Sequence, residues 1–122
     1  MDVFLGATCR FMIGTASGPI RIPGYFGVPV IFTNCTDSVQ YFSLFENDLY
    51  LPRLLKHQEN DKYLSFEEYL SPSTSIICSS DRLLQEGLEW VENTPKDLEA
   101  ATIEMLERTY DINSSRPDDD RQ

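Results

Sequence analysis

The chain has 122 residues, 20 acidic and 10 basic, and a formal charge of −10. That length folds one domain with a modest core. The acidic charge repels phosphate backbones, which excludes a nucleic-acid groove and an anionic membrane surface as partners. The charge is uneven. Residues 1–45 carry Asp2 and Asp37 against Arg10 and Arg21 and are neutral, so the whole excess lies in residues 46–122.

The first ten residues, MDVFLGATCR, have neither a basic start nor a long apolar run, so no secretory signal is expected. No apolar stretch approaches the roughly 18–20 residues that cross a bilayer. Cys9, Cys35 and Cys78 form no CxxC pair. An odd set of thiols argues for a reduced, cytoplasmic chain rather than a disulfide framework. The single histidine, His57, sits in the polar run KHQENDK (56–62) and reads as solvated loop, which leaves no support for a zinc site or a histidine-activated nucleophile. No metal or cofactor is expected.

In chain order, residues 2–9 predict a helix end with Val3, Phe4 and Ala7 on one face. RFMIGT (10–15) predicts a short buried strand, GTASGP (14–19) a turn, and VPVIFTN (28–34) an interior strand of a parallel sheet. Strand, tight loop, short crossover and strand make half of a doubly wound α/β unit. DLYLPRLL (48–55) predicts a strand that Pro52 confines to a sheet edge. Ser65 and Glu68 form a capping-box pattern that starts a short helix. Residues 71–82 are Ser-rich, with a brief strand expected at 76–78, and LEWVEN (88–93) alternates as a strand. Thr94, Pro95 and Asp97 open the clearest helix, with Leu98, Ala101, Ile103, Met105 and Leu106 as its apolar positions. Residues 111–122 read as a frayed acidic tail.

The stretch that could carry chemistry is RFMIGTASGPIRIPGYFGVPVIFTN (10–34). Its loop follows the carboxyl end of a parallel strand, where open α/β sheets bind ligands. Gly14 and Gly18 permit close approach, Thr15 and Ser17 offer hydroxyls, and Pro19 suits the first turn of a helix whose amides are unpaired. Pro23 and Gly24 keep that helix short or kinked. Two readings stay open: an anion site, or a tight turn capped by Ser17. The loop is neither GxGxxG nor a Walker loop, since it lacks GK[ST].

The run FMIGTASGPIRIPGYFGVPVIFTN resembles the donor-binding region of a family of bacterial glycosyltransferases with two-lobed GT-B architecture, and more distantly that of heptosyltransferases. DLYLPRLL, KYLSFEEYL and EWVENTPKDLEAATIEML are similar to the same family's C-terminal section, so the resemblance spans most of residues 3–110. It implies a partial Rossmann-like parallel sheet with flanking helices, the C-terminal half of a lobe that holds a nucleotide sugar over residues 1–110. On that resemblance Gly14, Thr15, Ser17, Gly18 and Pro19 face the donor diphosphate. Asn34, matched by position only, ends the next strand at the same cleft. The acceptor lobe of such enzymes, which usually supplies the general base, has no counterpart in the chain. The expected function is therefore the donor-binding portion of a glycosyltransferase of glycan biosynthesis, inactive alone. A missing lobe, a partner chain or a second copy would then cover an exposed apolar face. The alternatives are a non-catalytic interaction subunit and a small α/β nucleotide- or phosphate-binding module.

Other features carry less. Glu59 and Glu67 match the spacing of paired glutamates in some retaining enzymes, but Glu99 and Glu107 match it equally well. Asp118, Asp119 and Asp120 read as solvated charge. Trp90, Tyr41, Phe42 and Phe45 read as core rather than a base-stacking platform. Arg21 could steer a diphosphate, whereas Arg10 is expected to neutralise the end of the preceding helix.

Overall fold

A run of β-branched and aromatic side chains buried on both faces can only be an inner strand. VIFTNC is that strand. In the computed structural model, which describes residues 3–15, 17–36, 45–71 and 80–114, β2 (Val30–Cys35) lies between β1 (Met12–Thr15) and β3 (Leu49–Pro52). All three strands are parallel, with Met12 opposite Val30 and Thr15 opposite Thr33. Val30 and Ile31 are fully buried. β1 is half-buried rather than buried as expected, because it is an outer strand and Ile13 looks out.

Each face of the sheet is covered. Met12, Val30, Phe32 and Tyr50 pack on Ile20 from the crossover. On the other face Phe11, Ile31, Leu49 and Leu51 pack on Ala101 and Met105. Burying a side chain such as Ile31 or Met105 contributes about 2–3 kcal/mol. The ladder between β2 and β3 slips between Phe32 and Cys35, where Asn34 adopts a left-handed φ of 51°. That extra residue returns Cys35 to the face of Val30 and Phe32.

The crossover is a 3₁₀ turn, Pro19–Arg21, running into α2 (Ile22–Tyr25). Pro23 restricts continuation, and Gly27, at φ 73°, closes the turn in a conformation that favours glycine. α1 (Val3–Thr8) docks on α2 through Gly6, whose missing Cβ would stand 3.4 Å from Ile22. Val3 and Phe4, on the apolar face read from the sequence, are open, at 51% and 68% exposure. The contact is made by the Ile22 and Pro23 side chains of α2 against Gly6.

The chain leaves the parallel sheet at Arg53. DLYLPRLL is not one strand, since Leu54–His57 is β4 and pairs antiparallel with β5 (Leu88–Val91) in a second sheet. Lys56 and His57 therefore belong to a strand rather than a loop, while residues 58–60 make the turn. Lys56 Nζ reaches Asp61 Oδ1 at 2.7 Å and Glu89 Oε1 at 2.8 Å, which raises its pKa. The hydrogen bond from Lys56 in turn lowers that of Asp61. A second core gathers Leu55, Tyr69, Leu83 and Leu88, with Trp90 edge-on to Tyr69 at 6.4 Å.

α3 (Phe66–Tyr69) starts with the full capping box of Ser65 and Glu68, and hydrogen bonds from Ser65 hold the Glu68 carboxyl below its ordinary pKa. α4 (Ser80–Gln85) begins in the Ser-rich stretch, where the sequence reading placed no helix. Its signals were Asp81 in the first turn and Gly87, φ 68°, beyond the last. The strand expected at 76–78 falls outside the described residues. α5 (Pro95–Ser114) is the long helix. Thr94 Oγ1 accepts from the Asp97 amide at 3.2 Å, and Asp97 Oδ2 accepts from both Thr94 N and Oγ1. α5 passes the expected lobe boundary at 110, and residues 115–122 lie outside the description. No helix among the described residues is long and apolar enough to cross a membrane.

Candidate functional site

Because β1, β2 and β3 are parallel, their carboxyl ends share one edge, marked by Thr15, Asn34 and Pro52. The loop of residues 15–19 leaves β1 there. Thr15, Ser17, Gly18 and Pro19 are all exposed. Neither the Thr15 nor the Ser17 hydroxyl has a hydrogen-bond partner among the described residues, so Ser17 does not cap the turn beginning at Pro19. Gly18 has ordinary helical angles, φ −52° and ψ −51°, and a Cβ built on it meets nothing within 4 Å. The loop is a solvent-facing set of small donors.

Gly14 has a different part. A Cβ there would come within 2.9 Å of Ile20 Cδ1, so this glycine lets the buried Ile20 seat against β1. Pro19 opens a 3₁₀ turn of three residues, and its carbonyl accepts from Ile22 N. So short a turn sums few peptide dipoles, and the helix-end field expected from the sequence is small.

Asn34 is turned to another task. Its Oδ1 accepts from Asn93 N at 2.8 Å, and Asn93 Oδ1 accepts from Asn34 N at 2.6 Å. Asn93 Nδ2 also donates to Pro52 O at 2.9 Å. This clasp ties the ends of β2 and β3 to the segment between β5 and α5. Asn93 escaped the sequence reading, because nothing in its neighbourhood marks a partner 59 positions away.

Arg21 ends the 3₁₀ turn that follows the loop, and Arg53 lies just past β3, near Glu92 and Asp97. Arg53 Nη2 pairs with Glu92 Oε1 at 2.7 Å, and Arg53 Nε is buried without a hydrogen-bond partner among the described residues. Arg10 does not serve α1 as expected. Its Nε donates to Thr109 Oγ1 at 2.8 Å and its Nη2 to Leu106 O at 2.7 Å, so it fastens the start of β1 to α5. Burial raises the Cys35 thiol pKa, only partly offset by a hydrogen bond with Tyr50, so this thiol stays protonated at neutral pH.

Two hollows among the described residues lie away from this loop. One open groove of about 430 Å³ runs between β3 and α5 and reaches the carboxyl edge at Pro52 and Asn93. Another, about 570 Å³, lies at the opposite end, around Thr8, Arg10 and Asn47. Thr15, Ser17, Gly18 and Pro19 line neither.

No family model, curated protein or solved structure matches the chain.

His57 is exposed at the end of β4, Glu67 is exposed on α3, and Glu99 and Glu107 are exposed on α5. Phe45 is exposed, with its ring over Gly24, whereas Trp90 packs in the second core. Tyr41, Phe42 and Asp118 to Asp120 lie outside the described residues.

Proposed function

We propose that the chain is the donor-binding part of a nucleotide-sugar-dependent glycosyltransferase, half of a GT-B lobe, with the donor diphosphate lying against residues 15–19. The observation that carries this reading is the loop's position. Exposed hydroxyls of Thr15 and Ser17, without a partner among the described residues, stand at the carboxyl edge of a three-stranded parallel sheet. Gly18 leaves room above the backbone for phosphate oxygens.

Residues 3–36 contain no Asp, Glu or His. The loop therefore orients a diphosphate and donates hydrogen bonds to its developing negative charge, and it does not move the acceptor's proton. The general base belongs to an acceptor lobe supplied in another way, so the chain alone binds donor weakly and does not turn over. Cys9 and Cys35 are free thiols, which supports a reducing, cytoplasmic setting. The absence of an acid or base in this segment equally favours a second reading, a non-catalytic phosphate-binding module.

Thermal shift against UDP-, GDP- and CMP-sugars tests the binding. The expected result is a rise in Tm with one nucleotide class that the Ser17→Ala/Gly18→Ala pair abolishes. No rise with any of them sinks the reading. Sugar transfer by the purified chain alone would overturn its division of labour.

A further inference from the structure

Arg53, Lys56 and Arg108 each rest on a carboxylate. Arg10 rests instead on a hydroxyl and a carbonyl, Thr109 Oγ1 at 2.8 Å and Leu106 O at 2.7 Å. Neither acceptor cancels its charge. These bonds use two of the five N–H donors of a guanidinium, and Nη1 has no partner among the described residues. They also fix the plane of the group, so the free donors keep a set direction. Arg10 lines a hollow of about 570 Å³ at the amino edge of the sheet, with Asn47, Phe26, Val28 and Pro29. The Asn47 carboxamide has no hydrogen-bond partner among the described residues either. Glu46 and Asp48 flank Asn47, but neither lines the hollow. The oxygens of Asp48 accept from Val30 N at 2.8 Å and from Phe45 N at 3.0 Å. Glu107 meets Arg10 at a separate hollow, beside Leu106 and Tyr110, and forms no ion pair with it.

We propose that this hollow binds a small organic monocarboxylate, with its oxygens on Arg10 and Asn47 and its apolar body against Phe26, Val28 and Pro29. The donors select the ligand. One uncancelled guanidinium and one carboxamide match a single negative charge shared by two oxygens. A doubly charged phosphate needs more than one cation in a chain of net charge −10. The apolar wall, where Phe26 is 55% exposed, suits a ring or a short alkyl group. The volume also falls in the range of small-molecule sites, about 300–1,000 Å³. The carbonyl end of α1 lies here too, but over six residues its field is small beside a full guanidinium charge. Thr15, Ser17, Gly18 and Pro19 take no part, so this inference stands independently of the sugar-nucleotide reading.

Chemical-shift titration of the full chain with benzoate, at constant ionic strength and up to about 50 mM, tests it. The expected result is saturable shifts at Arg10 Nε–H and at the amides of Cys9, Gly27, Val28 and Asn47, half-complete at about 5 mM. Benzamide, a neutral molecule of the same shape, leaves these signals in place. Asn47→Asp sets an exposed carboxylate against the ligand and weakens binding about tenfold or more. Asn60→Asp, the same change in the turn after β4, does not weaken it. Phe26→Ala, at another exposed position, weakens it about threefold. Shifts that never saturate, equal shifts with benzamide, or binding indifferent to Asn47→Asp overturn the proposal. Inorganic phosphate moving the same signals at lower concentration than benzoate overturns the choice of a carboxylate.

Discussion

Gly14 and Gly18 look alike in the sequence and differ in the fold. An added methyl at Gly14 drives into Ile20, 2.9 Å away, whereas one at Gly18 meets open space at ordinary angles. Gly14→Ala should cost about 1–2 kcal/mol of stability. Gly18→Ala should be neutral or stabilise by up to about 1 kcal/mol, by restricting the unfolded chain. Urea unfolding of the two variants checks both, and equal penalties would contradict these different surroundings. Asn34 is a further case. Asn34→Ala loses the bond from Asn93 N and strains a left-handed backbone, about 2 kcal/mol together, while Asn34→Gly relieves the strain and costs less. If Asn34→Gly abolished nucleotide binding at nearly full stability, Asn34 would serve ligand rather than clasp.

Elements that announce themselves locally formed as read. The α5 cap is Thr94, Pro95 and Asp97, and the α3 cap is Ser65 and Glu68, each pair three residues apart. The Thr94 hydroxyl and amide hold the Asp97 carboxyl below its ordinary pKa. A depressed carboxyl contributes stability above its unfolded pKa and loses it as pH falls through the folded one. Thr94→Ala should therefore cost about 1 kcal/mol at neutral pH and measurably less once Asp97 is protonated. Urea titrations on both sides of the carboxylate range check this, and a penalty independent of pH would contradict it. What the sequence did not show was long-range. The division of DLYLPRLL between two sheets depends on β5 arriving to pair with β4, and the asparagine clasp depends on a fold already formed. Asn93→Ala removes the two bonds made by that side chain, to Asn34 N and Pro52 O, and should cost about 2 kcal/mol. Faster amide exchange at Asn34 would report the loss directly.

For the whole molecule, a parallel sheet covered on both faces leaves the loop at its carboxyl edge open to a ligand. The acidic excess of residues 46–122 sets the loop, in the neutral residues 1–45, apart from the rest of the chain. The α/β class and the position of the loop were legible because β2 is apolar on both faces and glycine and proline punctuate the crossover leading into it. The weakness of the 3₁₀ turn as a helix end was not legible, since Pro19 suits either helix equally well. The central claim is that an anionic nucleotide meets the chain at residues 15–19. Backbone amide chemical-shift mapping with a nucleoside diphosphate sugar tests it most directly. The account predicts the largest shifts at Thr15, Ser17, Gly18 and Ile20. A titration that leaves these amides unmoved, or moves only those around Arg10 and Asn47 at the opposite end of the sheet, would contradict it.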